Sequence, residues 1–228
     1  MKIIIATVKS WNIENAKRLK SFYNGQHTIK VLEQQEDLDF IFLQQYNPDY
    51  IFFPHWPYII SSDIYQNFKC VVFHMTDLPY GRGGSPLQNL IVRGKKDTML
   101  SAIQVEKELD AGAIYMKMPL SLEGSAAQIL RRASNIIFEQ MIPKFLLEEL
   151  YATPQVGEAV FFKRRKPEES ELLCDMPMDQ IYDHIRMLDG EGYPNAFIKF
   201  GKYKFEFTQS IYDGKRISAH VIIQEGEE

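Results

Sequence analysis

One histidine and one aspartate form the pair in this chain best suited to moving protons. His74 closes the apolar, β-branched run Cys70-Val71-Val72-Phe73. Asp110 lies in Glu108-Leu109-Asp110-Ala111-Gly112, just past a second apolar run from Met99 to Val105. Such runs read as buried strands, and open α/β sheets keep their ligand sites at the carboxyl ends of strands. An imidazole titrates near neutrality, and a carboxylate can orient it or hold its charge. Together they suit proton transfer or stabilisation of developing negative charge. A lone histidine after a strand is more often structural, so its surroundings decide. Leu78-Pro79 and Gly81-Arg82-Gly83-Gly84-Ser85-Pro86 predict a loop too rich in Gly and Pro for regular structure. Ser85-Pro86 then starts a helix, with Pro where a missing N–H costs nothing.

The preceding chain supplies the scaffold. Lys2 to Ala6 reads as a first strand, followed by a helix around Asn15 to Tyr23. Thr28 to Leu32 is a second strand and Asp37 to Gln45 a helix. Asn47-Pro48-Asp49 breaks that helix and opens a third strand, Tyr50 to Phe53. This alternation predicts a Rossmann-like α/β domain with a mostly parallel sheet over residues 1–150. Two loops reach the carboxyl edge: Thr7 to Asn12, and the apolar, aromatic Pro54-His55-Trp56-Pro57-Tyr58-Ile59-Ile60-Ser61. Trp11, in the first, could cover a substrate base or sugar, or simply pack.

Beyond Asp110, Ala113 to Met118 is expected as a strand and Gly124 to Leu150 as a long helix bent or divided at Pro143. Residues 151–157 read as a connection, and 151–228 as a small C-terminal α+β extension. It comprises strand Val160 to Lys163, helix Met178 to Leu188, and strands Ala196 to Phe200, Tyr203 to Thr208 and Ile217 to Gln224. Gly201-Lys202 and Asp213-Gly214 are hairpin signals, and the apolar strand faces offer a surface for a homodimer.

Composition narrows the classes. With 45% hydrophobic and 25% charged residues in 228, the chain resembles an ordinary soluble protein with a sizeable core. A net charge of −4 gives no general attraction for nucleic acid, which is therefore not an expected partner. The run Lys163 to Lys166 is locally basic and reads as a solvated strand end before a tRNA contact. Cys70 and Cys174 make neither a disulfide framework nor a metal spacing, which suits a cytoplasmic setting and predicts no metal. No apolar run approaches the ~20 residues of a membrane span, and Met1 to Ile5 is too short for a signal-peptide core. The loop after the first strand lacks Gly-x-Gly-x-x-Gly, which argues against a nicotinamide or flavin enzyme.

The residues around the pair carry a resemblance. The pattern H-x-[ST]-x-LP-x-x-RG-x-x-P-x-Q, followed by LD-[AT]-G, is similar to that of the folate-dependent formyltransferases. It is matched by His74, Thr76, Leu78, Pro79, Arg82, Gly83, Pro86 and Gln88, then Leu109, Asp110 and Gly112. The resemblance covers residues 1 to 145 well and the tail more loosely. It implies the formyltransferase fold and N10-formyltetrahydrofolate as cosubstrate. Transfer to an amine passes through a tetrahedral oxyanion, so His74 is implied as proton carrier or oxyanion donor and Asp110 as its partner. The pterin pocket is implied at Tyr58, Ile59, Ile60, Leu78, Pro79, Arg82, Gly83, Val105, Glu106 and Lys107. Trp11, Thr76 and Asp77 are implied on the acceptor side.

Two positions depart from the family pattern. Val72 stands where the family has an asparagine that holds the formyl oxygen, leaving His55, Thr76, Gln88 and Asn89 as replacements by proximity in sequence. Asp77 stands where the family usually has leucine. The short, acidic chain and the Gly81 to Pro86 variant point to a small bacterial nucleotide-sugar N-formyltransferase of the pseudaminic or sialic-acid-like type, acting on a deoxyamino sugar. A methionyl-tRNA formyltransferase is the alternative. A catalytically inactive folate- or sugar-binding relative is the third reading.

Overall fold

A computed structural model describes residues 1–226. The chain opens with strand β1 (Lys2–Ala6), helix α1 (Ser10–Phe22), β2 (Thr28–Leu32), α2 (Phe40–Tyr46), β3 (Tyr50–Phe53), α3 (Ser62–Asn67) and β4 (Cys70–His74). A short β5 (Tyr80–Gly83) and α4 (Pro86–Val92) lead to β6 (Asp97–Gln104) and β7 (Ile114–Ser121). Then come α5 (Ala126–Ile136), α6 (Ile142–Leu147), β8 (Val160–Phe162), α7 (Met178–Leu188), β9 (Ala196–Phe200), β10 (Tyr203–Tyr212) and β11 (Ile217–Glu225).

Two compact units result. The first comprises Met1–Arg82, Met99–Leu120 and Arg131–Phe161. The principal sheet has six strands in the order β2-β1-β3-β4-β6-β7. Its first four strands run parallel, so the fold is α/β with a mostly parallel sheet, as the alternation of strands and helices predicts. β6 differs: it pairs antiparallel with β4, with Val72 opposite Ile103 and His74 opposite Ser101. An apolar run encodes burial but not direction, and here β5 and α4 both intervene between the two strands.

Side chains alternate across each strand. Ile4, Ala6, Ile51, Phe53 and Cys70 share one buried layer with Leu32, Leu43 and Ile64, and Val72, Trp56, Ile60 and Val105 pack against it. Phe145 stacks edge-on against Tyr50, Phe52 and Tyr115 elsewhere in this unit. The long helix expected from Gly124 is divided. A π-helical turn at Ile137–Met141 separates α5 from α6, whose first turn holds Pro143. Pro143 has no N–H for the carbonyl four residues back, and widening the turn accommodates that loss. β5 is a further correction, since four residues of the Gly- and Pro-rich loop are extended strand.

The second unit takes Gly83–Thr98, Ser121–Leu130 and the chain from Phe162 onward. Its sheet has three antiparallel strands in the order β11-β10-β9. Within it, Gln88 donates to Met187 O at 3.2 Å, and the buried Arg186 guanidinium donates to Leu122 O and Gly124 O at 2.6 and 2.9 Å. Gly83 has a φ of +106°, and a Cβ there would lie 2.4 Å from Phe162 O. Only glycine permits that approach. No helix of the described residues is long and apolar enough to cross a membrane.

Candidate active site

β4 delivers His74 to the carboxyl edge of the sheet on the same face as Cys70 and Val72. The chain beyond it is fixed, because Ser101 Oγ donates to Thr76 O at 2.8 Å. His74 Nε2 lies 2.8 Å from Gly81 O, and Nδ1 lies 3.4 Å from Asp110 Oδ1. Both side chains are only 10% exposed. The ring thus stands between two oxygen acceptors.

Asp110 has a φ of +55°, left-handed for a residue with a Cβ. Strain of this kind persists where neighbours fix the chain. Gln155 does so: its Nε2 donates to Asp110 O at 2.8 Å and to Gly112 O at 2.9 Å. Its Oε1 accepts from Arg82 Nε at 3.1 Å and from an Arg82 terminal nitrogen at 2.8 Å. Nothing in the linear sequence singles out Gln155. Its meaning depends on three segments that only folding brings together, and the polar end of a connection carries no such signal.

The other expected residues divide by exposure. Ile59 is 95% exposed and Tyr58 is 40% exposed, both on the loop after β3. Glu106 and Lys107 are exposed on the loop after β6, while Ile60 and Val105 are half-buried. Apolar surface on one loop beside an exposed second loop is what a flat heteroaromatic ring needs, so these residues fit a pterin, although Val105 N itself donates to Cys70 O at 3.0 Å. Leu78 is instead buried, and its carbonyl accepts from Lys117 Nζ at 2.6 Å. Pro79 O accepts from Val160 N.

The acceptor-side expectations change more. Trp11 is 7% exposed and packs edge-on to His55. Thr76 is fully buried and donates to Gly81 O at 3.3 Å. Asp77 is exposed but pairs with Lys117, which the sequence reading passed over. Its carboxylate is engaged rather than waiting for an ammonium group.

Of the four replacements for an asparagine at Val72, three are committed elsewhere. Thr76 serves Gly81 and Gln88 serves Met187. Asn89 serves Gly84 O, Ser85 O and Lys163 O. His55 differs: its Nδ1 lies 3.4 Å from Asn12 Nδ2, and its buried Nε2 has no hydrogen-bond partner among the described residues. Burial, with the Lys9 charge adding to it, holds this imidazole down to about 4 from 6.5.

That depression has a pH consequence. An unfolded chain takes up the His55 proton near pH 6.5, whereas the native chain refuses it until about 4. The unfolded state therefore binds more protons in that window. The His55 contribution to stability is complete above pH 6.5 and lost as pH falls towards 4. The stability difference between wild type and His55→Phe should change by roughly 2–4 kcal/mol between pH 7 and pH 4. Denaturant titrations at both values measure it, and a pH-independent difference would show that the fold accepts the proton.

A family model described as formyl transferase matches residues 18–133, and one described as methionyl-tRNA formyltransferase, C-terminal domain, matches residues 167–224. The chain belongs to the formyl transferase family. A methionyl-tRNA formyltransferase from Clostridium thermocellum is 52% identical, with 99% of this chain and 100% of that one covered and a TM-score of 0.97. HypX from Aquifex aeolicus, solved in complex with tetrahydrofolic acid, shares the fold at 17% identity and a TM-score of 0.74 over 92% of this chain and 38% of its own. A sugar N-formyltransferase from Shewanella sp FDAARGOS_354 shares it at 13% identity and a TM-score of 0.70, covering 100% of this chain and 98% of its own.

These findings correct two expectations. The nucleotide-sugar acceptor is overturned by the end-to-end similarity to the Clostridium thermocellum enzyme and by the C-terminal domain model. The exclusion of nucleic acid falls with it. The physical error lay in the charge argument: a net charge of −4 is an average over the chain, whereas a backbone contact needs only a local patch. Lys163, Arg164 and Lys166 are exposed. Among the described residues no three His, Cys, Asp or Glu side chains cluster as metal ligands would.

Proposed function

We propose that this protein transfers a formyl group from N10-formyltetrahydrofolate to the amine of methionyl-tRNA. The observation that carries the reading is the 52% identity to a methionyl-tRNA formyltransferase over essentially both whole chains. N10-formyltetrahydrofolate, when bound, supplies the formyl group. Tyr58, Ile59, Ile60 and the main chain of Val105 to Lys107 would hold its ring. His74, set between Gly81 O and Asp110, is the imidazole that would move a proton or stabilise negative charge on a carbonyl oxygen. Asp110 orients that imidazole and, through water, can take the amine proton. In this reading residues 1–150 carry the chemistry. Residues 151–228 supply acceptor contacts, with Lys163, Arg164 and Lys166 directed to the tRNA backbone. Such an activity belongs in the cytoplasm, with translation.

The test is formyl transfer by purified protein with methionyl-tRNA as acceptor and a dTDP-linked amino sugar as the control. Methionyl-tRNA should be formylated, with efficiency falling as salt rises. Converting Lys163, Arg164 and Lys166 to alanine should raise KM for tRNA and flatten the salt dependence. Absence of transfer to methionyl-tRNA at any salt concentration would sink the reading.

A further inference from the structure

Gln155 completes a closed circuit around His74. One ring nitrogen faces Gly81 O and the other faces Asp110. Arg82 follows Gly81 directly, and its guanidinium is gripped by Gln155 Oε1 through two nitrogens. Gln155 Nε2 spends both hydrogens on Asp110 O and Gly112 O. The amide orientation is forced: flipped, it would set its NH2 against the guanidinium and its oxygen against two carbonyls. Gln155 is itself anchored, since Thr153 and Ile114 exchange main-chain hydrogen bonds at 2.8 and 2.9 Å. β7 thus fixes the segment two residues before the amide.

We infer that Gln155 is a positioning residue for formyl transfer, setting the spacing between the two acceptors that flank the His74 ring. The chain at Asp110 is left-handed and has its own preference to relax. Releasing the carbonyls of Asp110 and Gly112 would let that turn open, and the carboxylate would move from Nδ1. Releasing Arg82 would loosen the strand that carries Gly81. One side chain restrains both movements, and it touches neither the ring nor any reacting atom.

The inference rests on the proposed function, and the experiment separates the two. Wild type and variants are assayed with N10-formyltetrahydrofolate and methionyl-tRNA. Gln155→Met keeps the length and removes all four hydrogen bonds. Gln155→Glu keeps the acceptor for Arg82 but places an oxygen against the two carbonyls. Both should lower kcat about 10- to 100-fold, the size expected for a displacement near 1 Å, with little change in KM for the folate. In an Asp110→Ala background, Gln155→Glu should cost almost nothing more, because it keeps the Arg82 contact and its loss runs through Asp110. A merely structural role predicts equal losses in both backgrounds. Full kcat in Gln155→Glu would overturn the inference, as would an additive loss in the double variant. If wild type transfers no formyl group, the proposed function fails. If Gln155→Met is unfolded by circular dichroism, Gln155→Glu alone and in the Asp110→Ala background decides.

Discussion

Replacing His74 by alanine should lower formyl transfer by about 10²–10⁴-fold, and replacing Asp110 or both together should lower it by a similar amount. The expectation comes from shared purpose. Asp110 works together with the ring it faces, its carboxylate lying 3.4 Å from His74 Nδ1. Asp110→Asn refines the test. The amide keeps the shape of the carboxyl group but cannot balance a charged ring, so it should behave like the alanine variant if charge matters. Both side chains are nearly buried, so each single alanine variant leaves a polar partner unpaired, at about 1–3 kcal/mol of stability. Rates should therefore be compared per folded molecule. Folate binding by calorimetry should persist in all variants, because the residues that would take the pterin, Tyr58 to Ile60 and Val105 to Lys107, include neither. Strictly additive losses would show that the two residues act in separate steps, and full activity in both single variants would move the chemistry elsewhere.

The sequence made some of this site legible and hid the rest for identifiable reasons. His74 was readable because a β-branched run ends on it, and Asp110 because it sits in the Leu109 to Gly112 motif just past another such run. Burial and strand position survive translation into one dimension, but direction and partnership do not. β6 came out antiparallel because apolar patterning is the same either way. Trp11 was expected near a ligand because its loop reaches the carboxyl edge, and Thr76 because the resemblance implies it, yet His55 and Gly81 engage them within the protein. Val72 illustrates the converse. Its loss of the family asparagine is plain in sequence, but only the fold shows it packed with the Phe53 and Cys70 layer, Trp56 and Val105. Gln155 lay beyond reach altogether, since its four hydrogen bonds join residues from two distant stretches.

Gly112→Ala should cost about 10²-fold in kcat, more than its effect on stability alone would suggest. A Cβ at Gly112 would sit 1.8 Å from Gln104 O and 2.8 Å from the Gln104 carbonyl carbon. Neither side can yield cheaply. Gln104 ends β6 and donates its N–H to Ala113 O at 2.9 Å, while Gly112 O is held by Gln155. Reaching a normal contact requires a main-chain shift on the order of 1 Å, and a displacement of that size at a catalytic group costs roughly 10²-fold. Forcing extra volume into a tight contact also destabilises by about 1–3 kcal/mol. Gly94→Ala separates the two effects. Gly94 has a φ of +70° and open space around its missing Cβ, so alanine there meets only left-handed strain of about 1–2 kcal/mol. The Gly94 variant should lose stability and keep its turnover per folded molecule, whereas the Gly112 variant should lose both. Normal turnover in folded Gly112→Ala would mean that the Leu109 to Gly112 turn can shift without moving Asp110 from His74, and that this close approach serves the fold alone.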